Sequence, residues 1–456
     1  MEGMEARPLY QAAEKIYPRE IDGTFARLRI ATMIALLGSF YGAAWLSWDG
    51  RQALLFDLPA RKFYIFGLVL FPQDFFFLSW LLIIAALSLF FFTALAGRLW
   101  CGYACPQTVW TEAFLWMERL VEGRGAARRK LDRSPWTGDK IRRKVAKQAL
   151  WISFALWTGF TFVGYFTPIR ELAVKVVTLS LGGWEAFWIV FYGFATYGNA
   201  GFMREQVCKY MCPYARFQSA MFDRDSLIIS YDPARGEPRG SRRRDDDYKA
   251  KGLGDCIDCT MCVQVCPTGI DIRKGLQYEC IACAACIDAC DSVMDKMSYP
   301  RGLIRYSTQS AIEGKASRIL RPRILIYGTV LSGLCIAFLA ALFMRTPIEL
   351  DIIRDRNALY RTSRPGFVEN VYLLRIINKD KQAHSYSIGI AGLPTIALET
   401  DPAEIDAAAG EVVTVAARVL IEDGATSSGG HDIEFSLTAT DAPTLTTTET
   451  GRFISP

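Results

Sequence analysis

Residues 256–267 read Cys-Ile-Asp-Cys-Thr-Met-Cys-Val-Gln-Val-Cys-Pro, and residues 280–290 repeat the pattern as Cys-Ile-Ala-Cys-Ala-Ala-Cys-Ile-Asp-Ala-Cys. Cysteines at i, i+3, i+6 and i+10 are the spacing that holds [4Fe–4S] clusters in two-cluster ferredoxins. There three thiolates wrap one cube and the fourth reaches the other. The expected ligand sets are Cys256, Cys259, Cys262 and Cys290 for one cluster, and Cys266, Cys280, Cys283 and Cys286 for the second. Zinc sites use separated pairs rather than four cysteines in one short run. Disulfides give no reason for an exact repeat. Asp291 stands where the first run has Pro267. Proline shapes the turn without binding iron, so ligation survives, and the carboxylate disfavours added electrons nearby.

The surrounding composition is that of a membrane protein with soluble parts. The chain has 456 residues, 51% hydrophobic and 13% aromatic, which is too apolar for an ordinary soluble protein. Five apolar stretches, near 30–48, 75–96, 149–167, 184–204 and 323–344, approach the length that crosses about 30 Å of hydrocarbon. The stretch 63–71 is too short and reads as interfacial or re-entrant. Basic residues set the orientation. Arg19, Arg27 and Arg29 precede the first stretch, eleven Lys and Arg from Arg119 to Lys147 separate the second from the third, and Arg318, Arg321 and Arg323 precede the fifth. All fall on one side of a five-span arrangement, which puts the cysteine runs in the reducing cytoplasm.

The fold class expected is a mixed membrane protein: a five-helix transmembrane bundle, a cytoplasmic two-cluster ferredoxin-like module and a C-terminal immunoglobulin-like β-sandwich. Its segments are a cytoplasmic N-terminal stretch, 1–29; a four-span region, 30–231; a linker, 232–254; the ferredoxin module, 255–300; a connector and fifth helix, 301–344; and the sandwich, 345–456. The sandwich is read from alternating runs at 371–377, 385–390, 412–420 and 432–437 with turns between them. Segment 107–121 reads as an amphipathic interfacial helix with Trp110, Phe114, Met117 and Val121 on one face. The linker mixes Arg242–Arg244 with Asp245–Asp247, a solvated pattern that gives no case for nucleic acid. His384 and His431 are the only histidines; both read as surface residues, and neither lies in an apolar stretch where a membrane haem needs its ligands. No nucleotide-binding glycine motif is present. Cys335 reads as a packing residue.

A second pair of motifs closes two of the apolar stretches: Cys101-Gly-Tyr-Ala-Cys105-Pro106 and Cys208-Lys-Tyr-Met-Cys212-Pro213. Proline disfavours helix at the residue before it, so each helix should break at Cys105 and Cys212. Two hairpins in one orientation bring Cys101, Cys105, Cys208 and Cys212 together beneath the bundle. Soft thiolates suit Cu(I) or an iron–sulfur cluster, and two dithiols also suit reversible disulfide chemistry. These four are the candidate catalytic residues, an outlet in the form of a copper site or of redox-active dithiols, and Arg98 and Lys209 flank the pairs and lower their pKa values if they lie close in space.

Together these residues resemble the FixG/CcoG family, also called RdxA, of bacterial oxidase accessory proteins. The resemblance rests on Lys15-Ile-Tyr-Pro-Arg19 with Gly23-Thr-Phe, on both Cys-x-Tyr-x-Cys-Pro motifs, on the double cysteine run and on Asp355-Arg-Asn-Ala-Leu-Tyr360. It implies an inner-membrane cupric reductase that supplies Cu(I) for assembly of cbb-type cytochrome c oxidase, with the sandwich in the periplasm. Its implied partners are a cytoplasmic electron donor, copper or a copper chaperone, the oxidase assembly factors and membrane lipid. The alternatives are a quinol dehydrogenase of the NapH or NosR kind, which shares the paired motifs, and an assembly scaffold whose clusters only stabilise the fold.

Overall fold

The structure, a computed structural model, describes residues 15–364 and 366–456. Residues 1–14 of the expected N-terminal segment lie outside it. The chain forms two compact units. One takes the described residues up to Gly67 and then Asp74–Ile336, and the other takes Leu68–Gln73 and Ala337–Pro456.

In the first unit, helices Thr24–Ala43, Phe75–Ala96, Gly138–Val163 and Gly183–Thr196 occupy the first four apolar stretches. Pro322–Phe343 follows in the fifth, crossing from one unit into the other. Among the described residues two helices are long and apolar enough to cross a membrane, Pro72–Ala96 and Pro322–Phe343. The others fall short for local reasons. Arg27 and Arg29 occupy the opening turns of Thr24–Ala43. Lys140, Arg142, Arg143, Lys144 and Lys147 fill those of Gly138–Val163. Gly183–Thr196 ends after 14 residues, where the backbone widens into a π turn over Tyr197–Met203.

Three local expectations are corrected. The stretch 63–71 is not a re-entrant segment: Lys62–Ile65 pairs antiparallel with Leu54–Asp57. The turn between them is set by Asp57, whose carboxylate accepts the Ala60 N–H at 2.9 Å, and by Arg61 in the left-handed region at φ 55°. Such Asx geometry competes with helix. The helix Pro106–Glu122 forms as expected, yet its apolar face is not left for lipid. Phe114 and Met117 pack with Trp151, Ala155 and Ala200 in one buried cluster. Nor is 232–254 a free linker. Arg242 stacks on Tyr248 and Tyr299 and donates to the Gly254 carbonyl, and Gly240 N–H donates to the Cys256 carbonyl. The strands Ile228–Tyr231 and Ile304–Ser307 pair antiparallel and bracket the cysteine runs.

The second unit is a two-sheet sandwich. One sheet orders Ala397–Thr400, Val412–Glu422, Phe367–Asn378 and Ile348–Arg354, with Arg361–Arg364 also on Phe367–Asn378; the other orders Glu404–Ala407, His384–Ala391, Gly429–Ala439 and Thr446–Ser455. Period-2 alternation puts Tyr372, Leu374, Ile376, Val415, Ala417 and Val419 in a core with Tyr386, Ile433, Phe435, Leu437 and Phe453. Each large side chain fully buried there contributes about 1.5–3 kcal/mol. His384 is not a surface residue. It is 6% exposed and sits between Asp441, 2.8 Å from Nδ1, and Asp380, 3.0 Å from Nε2. The two carboxylates hold its pKa above the ordinary imidazole value.

Candidate functional site

Both cysteine runs fold the same way. Asp258 and Thr260 flank Cys259 in the left-handed region at φ 54° and 56°, and Ala282 and Ala284 flank Cys283 at φ 54° and 59°. Non-glycine residues take this conformation at a cost of about 1–3 kcal/mol each, so something in the site must hold them there. Turns of this kind point successive N–H groups into a concavity that suits anionic iron–sulfur centres. The chain then enters Met261–Gln264, which carries Cys262, and Ala285–Met297, which carries Cys286 and Cys290.

The resulting cavities sort the cysteines. One is lined by Cys256, Cys259, Cys262 and Cys290. The other is lined by Cys266, Cys280, Cys283 and Cys286, with Cys262 at the wall between them. The fourth cysteine of each run therefore borders the cavity of the other run. Burial pushes Cys280 and Cys290 up to about 12, and Cys262 and Cys283 up to about 11. Bare thiols here stay protonated, and iron in their place resolves the charge problem. The donor set and the strained loops fit two [4Fe–4S] clusters.

The apolar helices end earlier than expected, at Ala96 and Thr196, and short turns carry the chain on to Cys105 and Cys212. Cys105 and Cys212 take extended backbone at the caps of Pro106–Glu122 and Pro213–Met221, each of which opens on proline. Cys101 lies on Leu99–Tyr103 and Cys208 on a second π turn, Val207–Met211. The four thiols come within electrostatic reach of one another, and Cys101 feels Cys105, Cys208 and Cys212. Among the described residues no three His, Cys, Asp or Glu converge closely enough for a single metal ion. Burial pushes the Cys101 thiol up to about 12 and Cys208 up to about 11, although Arg98 pulls both down. Arg98 thus lies close enough to lower both, while desolvation outweighs it. Cys101 donates to the Gln218 side-chain oxygen at 3.3 Å.

The thiols sit against the second cradle and not the first. A Cβ on Gly102 would lie 2.8 Å from the carbonyl oxygens of both Ile281 and Ala282, so backbone meets backbone there. Arg98, 4% exposed, donates to the carbonyls of Cys280, Tyr278 and Ala215 and to Gln218. Tyr103 and Tyr306 are joined at 3.3 Å, and Tyr306 donates to the Ala282 carbonyl at 2.7 Å. On the helix Pro106–Glu122, Glu118 is fully buried and pairs with Arg128 at 2.6 Å and with Arg204 at 3.0 Å. Burial pushes the Glu118 carboxyl up, but Arg204 and Arg128 outweigh it and hold it below its ordinary value. Arg204 is itself held at φ 41°, four residues ahead of Cys208.

The N-terminal segment fastens the module in place. Asp288 accepts the backbone N–H groups of Phe25 at 3.2 Å and Ala26 at 2.7 Å, capping the first helix from outside. A Cβ on Gly23 would collide with this carboxylate. Arg29 donates to the Cys283 carbonyl, Arg19 N–H donates to the Gln264 carbonyl at 2.8 Å, and Lys15 pairs with Asp132 at 2.8 Å. Arg98 was expected only as a neighbouring charge. The roles of Gly102, Gln218 and Asp288 had no signal in the sequence, because each depends on a partner far along the chain.

Two cysteine cradles in a ferredoxin module, packed against helix-end thiols, define a protein of the iron–sulfur electron-transfer class. Residues 203–309 match a 4Fe-4S dicluster domain, residues 78–124 a 4Fe-4S binding domain, and residues 338–456 the IG-like fold at the C-terminal of FixG. The chain is 40% identical to nitrogen fixation protein FixG of Rhizobium meliloti over 85% of its own length and 81% of that protein. It is 42% identical to protein RdxB of Cereibacter sphaeroides over 86% of its length and 85% of that protein. A crystal structure of a FixG-related protein from Vibrio parahaemolyticus matches 24% of this chain and 98% of that one, at 31% identity and a TM-score of 0.23. The chain belongs to the FixG family.

Proposed function

We propose that this protein is a multi-pass inner-membrane cupric reductase, supplying Cu(I) for assembly of cbb-type cytochrome c oxidase. One observation carries the site assignment: the Gly102 backbone, next to Cys101, lies against the Ile281 and Ala282 carbonyls, and Cys105, Cys208 and Cys212 lie within electrostatic reach of Cys101. Copper as substrate comes from the family resemblance. Bound [4Fe–4S] clusters supply one-electron carriers. The thiols are not drawn together as a three-ligand site, so copper would gather them as it binds; soft thiolates favour Cu(I) over Cu(II), so binding there raises the copper potential. The thiols lose their protons as copper binds. Gln218 orients Cys101 through its side-chain oxygen.

Replacing Cys208 and Cys212 together by serine is expected to abolish Cu(II) reduction and Cu(I) retention by the chemically reduced protein, while both cluster spectra persist. Full copper reduction by the variant would sink the assignment. One observation favours the quinol alternative: a cavity of about 260 Å³ borders both Cys283 and Cys208 and is lined by Arg29, Glu112, Arg119 and Glu205. Quinol supplied in the same assay separates the two readings. Iron well above about eight per chain would assign the thiols to a further cluster instead.

The arginine and lysine distribution supports five crossings, with the cysteine runs cytoplasmic and the sandwich periplasmic. A reporter active only in the periplasm is expected to be active when fused after Pro456 and silent after Asp232. The same sign at both fusions would remove the five-span reading.

A further inference from the structure

The two cradles differ in the charge around them. Beside the first, Asp291 bears on Cys290, and Asp271 and Arg273 bear on Cys262. Arg273 is neutralised there by Asp271 at 2.8 Å and by Asp258. Beside the second, Arg98 bears on Cys280 and Arg29 on Cys283, opposed at Cys283 by Glu112. Among the described residues every acceptor that Arg98 reaches is neutral: three backbone carbonyls and Gln218. A buried guanidinium without a carboxylate is strongly unfavourable unless another negative group compensates it. Arg98 bears on the thiols of Cys101 and Cys208 as well as Cys280, and a cluster bound beside Cys280 would supply the compensating negative charge. The cradles also differ in exposure. Cys259 in the first is exposed, whereas Cys266, Cys280, Cys283 and Cys286 in the second are not.

We infer that the relay has a fixed polarity. Electrons enter at the cluster of Cys256, Cys259, Cys262 and Cys290, and leave from the cluster of Cys266, Cys280, Cys283 and Cys286 to the four helix-end thiols. Arg98 is the buried positive charge that holds the second cluster at the higher potential. Carboxylates around the first cluster disfavour an added electron, and the unpaired guanidinium beside the second favours one, so transfer from first to second runs downhill. Arg98 also counters the charge of the thiolates on the far side. Each Cu(II) gains one electron to become Cu(I), and a cytoplasmic one-electron donor docking at exposed Cys259 loses one. Arg98 is a positioning residue in this scheme and touches no copper. The exit half of the inference rests on the copper-outlet reading; the order of potentials does not.

The test is a redox titration of the purified full-length protein followed by electron paramagnetic resonance. Cys290→Ser and Cys280→Ser variants assign the two signals. In the unmodified protein the second cluster is expected to have the higher potential. Arg98→Gln is expected to weaken its reduction about tenfold, which is about 59 mV for one electron, and to leave the first cluster unmoved. Arg98→Lys keeps the charge and is expected to restore most of the shift, which a purely structural arginine would not allow. A first cluster of higher potential in the unmodified protein overturns the inference, even if Arg98→Gln does not fold. So does a shift of both clusters, or of neither. Loss of copper reduction in the Cys208/Cys212 variant is judged separately, so failure of that reading is distinguishable from failure of this one.

Discussion

Cys290→Ser is expected to remove the cluster bound by the first cysteine run, although Cys290 belongs to the second. Iron should fall from about eight to about four per chain, and the surviving resonance should match that of Cys256→Ser rather than Cys280→Ser. The reason is the shape of the cradles. Ala285–Met297 carries Cys286 to one cavity and, one turn on, Cys290 to the other. Serine in place of this cysteine leaves a poor iron ligand. A surviving signal like that of Cys280→Ser would mean that each run holds its own cluster, and the crossed ligand sets would be wrong.

Gly102→Val carries the second large effect. Its Cβ would need the space of the Ile281 and Ala282 carbonyl oxygens, both 2.8 Å away. These are backbone atoms of the Cys280–Cys283 loop and cannot rotate aside. Overpacking of this kind costs about 1–3 kcal/mol and displaces backbone. The expected outcome is loss of the second cluster, loss of copper reduction and retention of the first cluster. Iron analysis and electron paramagnetic resonance check it. Gly138→Ala, where a Cβ meets nothing within 4 Å, serves as the control. Normal iron content and copper reduction in Gly102→Val would separate the thiols from the second cradle.

The cysteine runs were legible because ligand spacing is local: the loop that wraps a cube is written in consecutive residues. The sandwich strands at 371–377, 385–390, 412–420 and 432–437 were legible because alternation is local too. What stayed hidden depends on distant partners. Arg98 reaches the Cys280 carbonyl across 182 positions, and nothing near Arg98 announces that contact. His384 looked like a surface residue because Asp441, 57 positions away, closes over it. The charged stretch 232–254 looked solvated because composition does not show Arg242 lying on Tyr248 and Tyr299. At 63–71 the apolar run was too short to distinguish a strand from a membrane loop, and the Asx turn at Asp57 decided it.

The capture of the first helix by Asp288 bears on the order in which the molecule is made. The bond from Ala26 to Asp288 spans 262 positions. Closing so long a loop adds little thermodynamic penalty, since that penalty rises only with the logarithm of length. Its kinetic weight is larger, because nonlocal pairings form late. During synthesis the first helix emerges long before the carboxylate that caps it. Its opening N–H groups wait for a partner until both cysteine runs have left the ribosome. The helices ahead of the cysteine runs therefore begin folding before the ferredoxin module can anchor to them, and docking of the N-terminal segment on Asp288 is a late step.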